Sequence, residues 1–141
     1  MREPLEPRVL EVLDRSQCMQ LLRGEQVGRL AFVLHGRPHI EVVNFIVHDE
    51  AILVRCGVGA KTVAVGRGDR LALEADNIDE QTHTGWNVTV SGRARLVPAQ
   101  DTAALLPLIT PWAAGERTRL FRLMPDGVFG RRLVIPAAVG S

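Results

Sequence analysis

Thr84-Gly85-Trp86-Asn87-Val88-Thr89-Val90-Ser91-Gly92-Arg93-Ala94-Arg95-Leu96 is the stretch whose reading decides the fold. Trp86, Val88, Val90, Gly92, Ala94 and Leu96 share one parity, while Asn87, Thr89, Ser91, Arg93 and Arg95 share the other. Side chains alternate across a strand with period two, so this is one extended strand with a buried face and a polar face. Gly92 in its interior predicts a bulge or a close backbone approach, as where a strand bends around a barrel.

Shorter strands flank it. Val27 to Leu34, His39 to Val47 and Ala51 to Cys56 read as strands separated by the turn His35-Gly36-Arg37-Pro38 and the reversal His48-Asp49-Glu50. Arg70 to Asp76 alternates, with Leu71, Leu73 and Ala75 on one face, and the polar run Asn77 to Thr84 reads as a loop. Arg117 to Met124 and Val128 to Ile135 read as two last strands around Pro125-Asp126-Gly127. Helices are short: Gln17 to Arg23 started by Ser16 and stopped by Gly24, Thr62 to Gly66, and Gln100 to Leu108. Short strands joined by tight turns are the grammar of an antiparallel sheet, and the sum is a small, mainly β barrel with short α-helices.

Composition bounds the function. The 141 residues fit one domain, with 46% hydrophobic and 23% charged residues, as in an ordinary globular protein. A net charge of +1 with scattered basic residues gives no field for nucleic acid. The start Met1-Arg2-Glu3-Pro4-Leu5-Glu6-Pro7 is unlike a secretory signal, and no apolar run reaches the roughly 18 residues of a membrane span. Cys18 and Cys56 are too few for a disulfide framework and lack partners at metal spacing, which suits reduced thiols in a cytoplasmic protein. Residues 1–13 read as an N-terminal arm, 14–136 as the barrel domain and 137–141 as a C-terminal tail.

The densest chemistry lies at Arg55-Cys56-Gly57-Val58-Gly59-Ala60-Lys61-Thr62. A strand end, two glycines, a cation and a helix start can present backbone N–H groups and positive charge to a phosphate. The stretch fails the Walker A pattern at Arg55 and Ala60 and the dinucleotide fingerprint at Thr62. An ordinary strand-to-helix connection with a solvated Lys61 remains the alternative. Asn44, inside the apolar strand Ile40 to Val47, needs partners for its amide, from a neighbouring strand, a loop carbonyl or a ligand. His35 and His39 are separated by a turn and do not share a metal, and His48 and His83 read as exposed. Glu74 and Asp76 share a strand face that reads as solvated, and no serine sits in a nucleophile elbow. Cys56 reads as a small core residue rather than an activated thiol.

Four stretches together carry a resemblance: Pro38 to Phe45, Val54 to Lys61, Thr84 to Ala94, and Pro125 to Leu133 ending Gly130-Arg131-Arg132-Leu133. In this order and spacing the chain resembles the pyridoxamine 5′-phosphate oxidase-like FMN-binding split β-barrel proteins, over roughly residues 14–135. The resemblance implies a six- or seven-stranded antiparallel split barrel forming a homodimer, with FMN at two sites between subunits. By position, Val42, Val43 and Asn44 would lie along the flavin ring, and Arg55 and Cys56 would contact the cofactor. Gly59, Lys61 and Thr62 would hold the phosphate, and Trp86 and Asn87 would close the site. The implied activity is flavin-dependent oxidoreduction of a small planar substrate; a carrier of FMN, heme or the deazaflavin F420 without turnover is the alternative. Heme carriage would need His39, His48 or His83 as axial ligand. The chain departs from the oxidase pattern in three places. Lys61 is followed by Thr62 instead of pairing with a second basic residue, Glu41 stands where the oxidases have arginine, and their C-terminal Trp and Arg have no counterpart.

Overall fold

The computed structural model describes residues 5–137. The first four residues of the expected arm and residues 138–141 of the expected tail lie outside the described residues. The elements run β1 (Val9–Leu13), α1 (Arg15–Arg23), β2 (Val27–Leu34), β3 (Arg37–His48), β4 (Ala51–Cys56), α2 (Ala60–Gly66), β5 (Arg70–Asp79), β6 (Thr84–Leu96), α3 (Ala99–Leu105), a 3-10 turn (Leu106–Leu108) and β7 (Arg119–Val134). Every strand pair is antiparallel.

The sheet order is β1-β7-β4-β3-β2-β5-β6, and β6 pairs back onto β7, so six strands close a ring. Strand β7 makes the closure possible because it is long and changes neighbours along its length. Its first half pairs with β4, from Cys56↔Arg119 to Ile52↔Leu123, and its second half pairs with β1, from Leu13↔Gly130 to Val9↔Val134. Strand β6 runs beside both halves, from Leu96↔Phe121 to Gly85↔Leu133. The result is the split β-barrel.

This continuity corrects the sequence reading of two strands around Pro125-Asp126-Gly127. The three residues form no reversal. They make a bulge, in which Ser91 opposes Gly127, Gly92 opposes Pro125, and Asp126 has no Cα partner on β6. Gly92 is the reason the strands can approach so closely there, because a Cβ on it would overlap the Met124 carbonyl oxygen. Proline, which lacks an N–H, is tolerated at such a bulge. The expected loop at Asn77 to Thr84 is shorter than read. Strand β5 continues to Asp79, because Asn77, Ile78 and Asp79 pair with Trp86, Gly85 and Thr84 across a tight turn in which His83 takes φ 55°. Leu96, assigned to the buried face of β6, is exposed at the end of the alternation.

The barrel interior is filled by alternating inward residues such as Leu30, Phe45, Leu73, Val88, Val90 and Phe121, joined by Cys18, Met19 and Leu22 of α1 and Ala64 and Val65 of α2. Helix α1 begins two residues before the expected start, at Arg15 instead of Gln17. Asp14, not Ser16, is its N-cap: the Asp14 carboxylate accepts from Gln17 N at 2.8 Å, and the Gln17 side chain accepts from Asp14 N at 2.9 Å. A second cluster of Leu53, Val97, Ile109 and Leu120 lies under the α3 segment. It buries the outer parity of β4 as well, which explains why Ala51 to Val54 is apolar without alternation.

Candidate functional site

The glycine turn after β4 is held by its neighbours more than by its own helix. Arg55 is half-buried and spends its guanidinium on main chain: Nε donates to the Arg117 carbonyl at 2.7 Å, and Nη1 donates to those of Leu106 and Ile109 at 2.9 Å each. Its partner across β3, Asn44, holds the same segment from the other side. The Asn44 Oδ1 accepts from Trp112 N at 2.9 Å, and its Nδ2 donates to the Gln26 carbonyl at 3.4 Å. The polar residue in an apolar strand thus anchors a loop, one of the alternatives open from sequence.

Residues 106–117 are thereby pressed against the turn. A Cβ on Gly57 would stand 2.8 Å from the Glu116 carbonyl oxygen and 3.2 Å from Arg117 Nη1. Gly57 is required for that close approach and Gly59 is extended, at φ 175°, with open space around its Cβ position. Neither glycine lies in the left-handed region. Thr62 closes the turn locally: its hydroxyl donates to the Gly59 carbonyl at 2.6 Å and accepts from Gly59 N at 3.0 Å.

Lys61 is not a solvated cation. Its ammonium lies 2.7 Å from Glu41 Oε2, with side-chain exposures of 18% and 36%. Glu41 reaches it from β3, on the parity of Val43 and Phe45 that faces the barrel interior. Cys56 lies beneath this group. Burial pushes its thiol above the ordinary range, opposed by Lys61 and Arg117, assisted by Glu41, and opposed again by Arg119. The fields of these four charges therefore all reach one buried thiol. Arg117 has no carboxylate within ion-pair distance among the described residues; its Nη1 meets only the Glu116 carbonyl, at 3.3 Å. Sequence reasoning missed Arg117, since nothing local links a loop residue to a turn 60 positions earlier.

The remaining candidates divide. Val42 projects outward and is 71% exposed, while Val43 is in the core. Trp86 and Asn87 stand on β6, separated from β3 by β2 and β5, and line a different feature. This is a cleft of about 550 Å³ walled by Leu10, Ile78, Trp86 and Leu133, with Glu74, His83, Asn87 and Arg131 as polar members. Its rim is ordered by Asp79, whose carboxylate accepts from Gln81 N and Thr82 N and is held below the usual carboxylate range by those bonds. Arg8 Nε donates to the Thr82 carbonyl at 2.9 Å, so the N-terminal arm is fastened to the same rim. Glu74 and Asp76 are not the solvated pair expected: Arg29 bridges them at 3.3 and 2.9 Å, and their side chains are 30% and 21% exposed. Burial first, then Asp76, raises the Glu74 carboxyl above its ordinary range against the pull of Arg29. One chain thus brings Asn44, Arg55, Cys56, Gly59, Lys61 and Thr62 to one region and Trp86 and Asn87 to another.

Among the described residues no group of three His, Cys, Asp or Glu side chains could hold a metal ion, and no helix is long and apolar enough to cross a membrane. A family model described as pyridoxamine 5′-phosphate oxidase matches residues 14–132. An uncharacterized protein of Mycobacterium tuberculosis is 32% identical over 137 residues, 93% of this chain and 90% of its own length. Among solved structures, the FAD binding protein from Mycobacterium smegmatis is 28% identical with a TM-score of 0.66, covering 88% of this chain and 98% of that one. An FAD-binding protein from Mesorhizobium loti shares the fold with a TM-score of 0.74 at 21% identity, covering 89% of this chain and 98% of that one.

Proposed function

The chain belongs to the pyridoxamine 5′-phosphate oxidase family, and on that premise we propose that it binds a flavin nucleotide between two copies of itself. The observation that carries the reading is the glycine turn, where Arg117 lies against Gly57, Lys61 follows in the first turn of α2, and the space at Gly59 is open. A flavin phosphate needs positive charge and accessible N–H groups, and the turn offers both.

In this reading Lys61 and Thr62 hold the phosphate, Gly59 lets it approach, and the backbone at Val42 and Val43 lies along the ring. Asn44 and Arg55 act mainly by fastening the 106–117 segment that carries Arg117 to the site. The outward apolar side chains Ile40 and Val42, 72% and 71% exposed, support a second copy covering this face. That copy would bring its Trp86 and Asn87 to the ring, which reunites the two regions that one chain keeps apart. The bound flavin would supply hydride or electron transfer to a small planar substrate, and the protein would orient it and exclude water. The two buried free cysteines suit a cytoplasmic setting. No described histidine stands at the turn as an axial ligand for heme: His39 is stacked on Phe32 with ring centroids 5.1 Å apart, and His48 and His83 lie outside the turn region.

The test is the absorbance spectrum of the purified protein and its titration with FMN and riboflavin. Flavin bands, or saturable fluorescence quenching by FMN, support the reading; a protein that binds neither flavin refutes it. Lys61→Ala should weaken FMN while leaving riboflavin nearly unchanged, and equal losses would remove the phosphate role of Lys61. Reoxidation of the bound flavin by small acceptors would separate an enzyme from a carrier.

A further inference from the structure

We propose that Glu41 decides which anion the Lys61 turn accepts, competing with the ligand's phosphate for the Lys61 ammonium. The site is thereby tuned to a phosphate bearing one negative charge, as in a diester or in each phosphate of a dinucleotide linkage, over a terminal monoester. The proposal rests on the flavin-nucleotide reading and adds to it a residue that sets specificity.

At 2.7 Å and largely shielded from solvent on the lysine side, the Lys61–Glu41 contact is screened less than a surface pair. The backbone of Glu41 is fixed in β3, opposite Leu30 of β2, so its carboxylate stays within side-chain reach of Lys61 whatever the ligand. Charge near the turn is then easily counted. Lys61 is neutralised by Glu41, Arg55 is committed to three carbonyls, and Arg117 and Arg119 have no carboxylate within ion-pair distance among the described residues, Arg117 being the one whose guanidinium lies against Gly57 of the turn.

A terminal phosphate monoester carries about −1.5 to −2 at pH 7, whereas each phosphorus of a diester or a dinucleotide linkage carries one charge. A singly charged phosphate can rest on Arg117 and leave the Lys61–Glu41 pair intact. A dianion must draw Lys61 away, which leaves the Glu41 carboxylate unpaired beside a second negative group. The site therefore discriminates by repulsion as well as by attraction.

The experiment titrates riboflavin, FMN and FAD into the full-length protein and into Glu41→Gln, with Glu41→Ser as a second variant. Thermal denaturation of each protein serves as the folding control. Removing the competing carboxylate should tighten FMN by about tenfold, FAD by less than about threefold and riboflavin not at all. An FMN-to-riboflavin ratio that is the same in wild type and both variants overturns the proposal alone. Equal changes for all three ligands also overturn it, since they report a structural effect. If neither wild type nor Glu41→Gln binds FMN or FAD better than riboflavin, or if no flavin binds, the phosphate reading on which this one depends is overturned.

Discussion

Replacing Arg55 separates a residue that fastens the site from one that touches the ligand. Its guanidinium makes three charge-assisted hydrogen bonds of 2.7, 2.9 and 2.9 Å to carbonyls of residues 117, 106 and 109. A hydrogen bond to a charged group contributes about 1.5–3 kcal/mol. The three share one half-buried group and are not additive, so Arg55→Met, which keeps the length of the aliphatic stem, should cost about 3–4 kcal/mol. Arg55→Lys keeps the charge but lacks the planar fork, so it can serve one or two of the carbonyls and should recover about half of that loss. Urea denaturation measures the loss. Limited proteolysis should show the exposed stretch Trp112–Glu116 cut faster in both variants, in the order Met then Lys. The reasoning fails if Arg55→Met unfolds within about 1 kcal/mol of wild type. It fails differently if stability and protease resistance persist while flavin binding disappears, which would make Arg55 a direct contact.

Two further substitutions probe the barrel itself. Gly92→Ala places a methyl against the Met124 carbonyl at the bulge and should cost at least about 3 kcal/mol, or abolish folding, whereas Gly66→Ala, with nothing within 4 Å of its Cβ position, should be neutral or stabilising. A soluble Gly92→Ala protein with wild-type denaturation would refute the close approach. Glu74 tests the electrostatics: because its native carboxyl titrates above its ordinary value, the folded state binds more protons than the unfolded one between the two values. That contribution is present below the unfolded value and is lost as pH rises through the native one. Glu74→Gln should therefore raise the melting temperature by roughly 1–3 °C near neutral pH and lose its advantage near pH 4. A destabilised Glu74→Gln protein at neutral pH would show that the bridge to Arg29 outweighs the cost of burying the charge.

Much of this architecture is legible along the chain because strand alternation is a local property. Val88, Val90 and Ala94 announce the inner face of β6, and β2 and β4 begin and end where their apolar runs do. Pro125-Asp126-Gly127 misleads because the same residues suit a reversal and a bulge; only pairing with Ser91 and Gly92 decides between them. The site is less legible for the same reason. Lys61 and Thr62 stand out locally, but the partners that define their chemistry, Glu41 and Arg117, arrive from 20 positions before and 56 after Lys61. Glu41 is visible as a charge reversal against the oxidase pattern, yet its contact with Lys61 depends on how β3 and α2 meet.

The two-sided use of β7 also governs how the protein can be made. Synthesis delivers β2 to β6 well before β7, so β4 and β6 each wait with an unpaired edge until the last strand emerges. The first strand waits longest, since Val9 finds its partner only at Val134. Contacts of such large sequence separation fold slowly, and open edges invite pairing with other chains in the meantime. A ribosome-bound chain lacking residues 119–134 should therefore be protease-sensitive throughout, and the polypeptide should gain its resistance in a single late step as that strand is released.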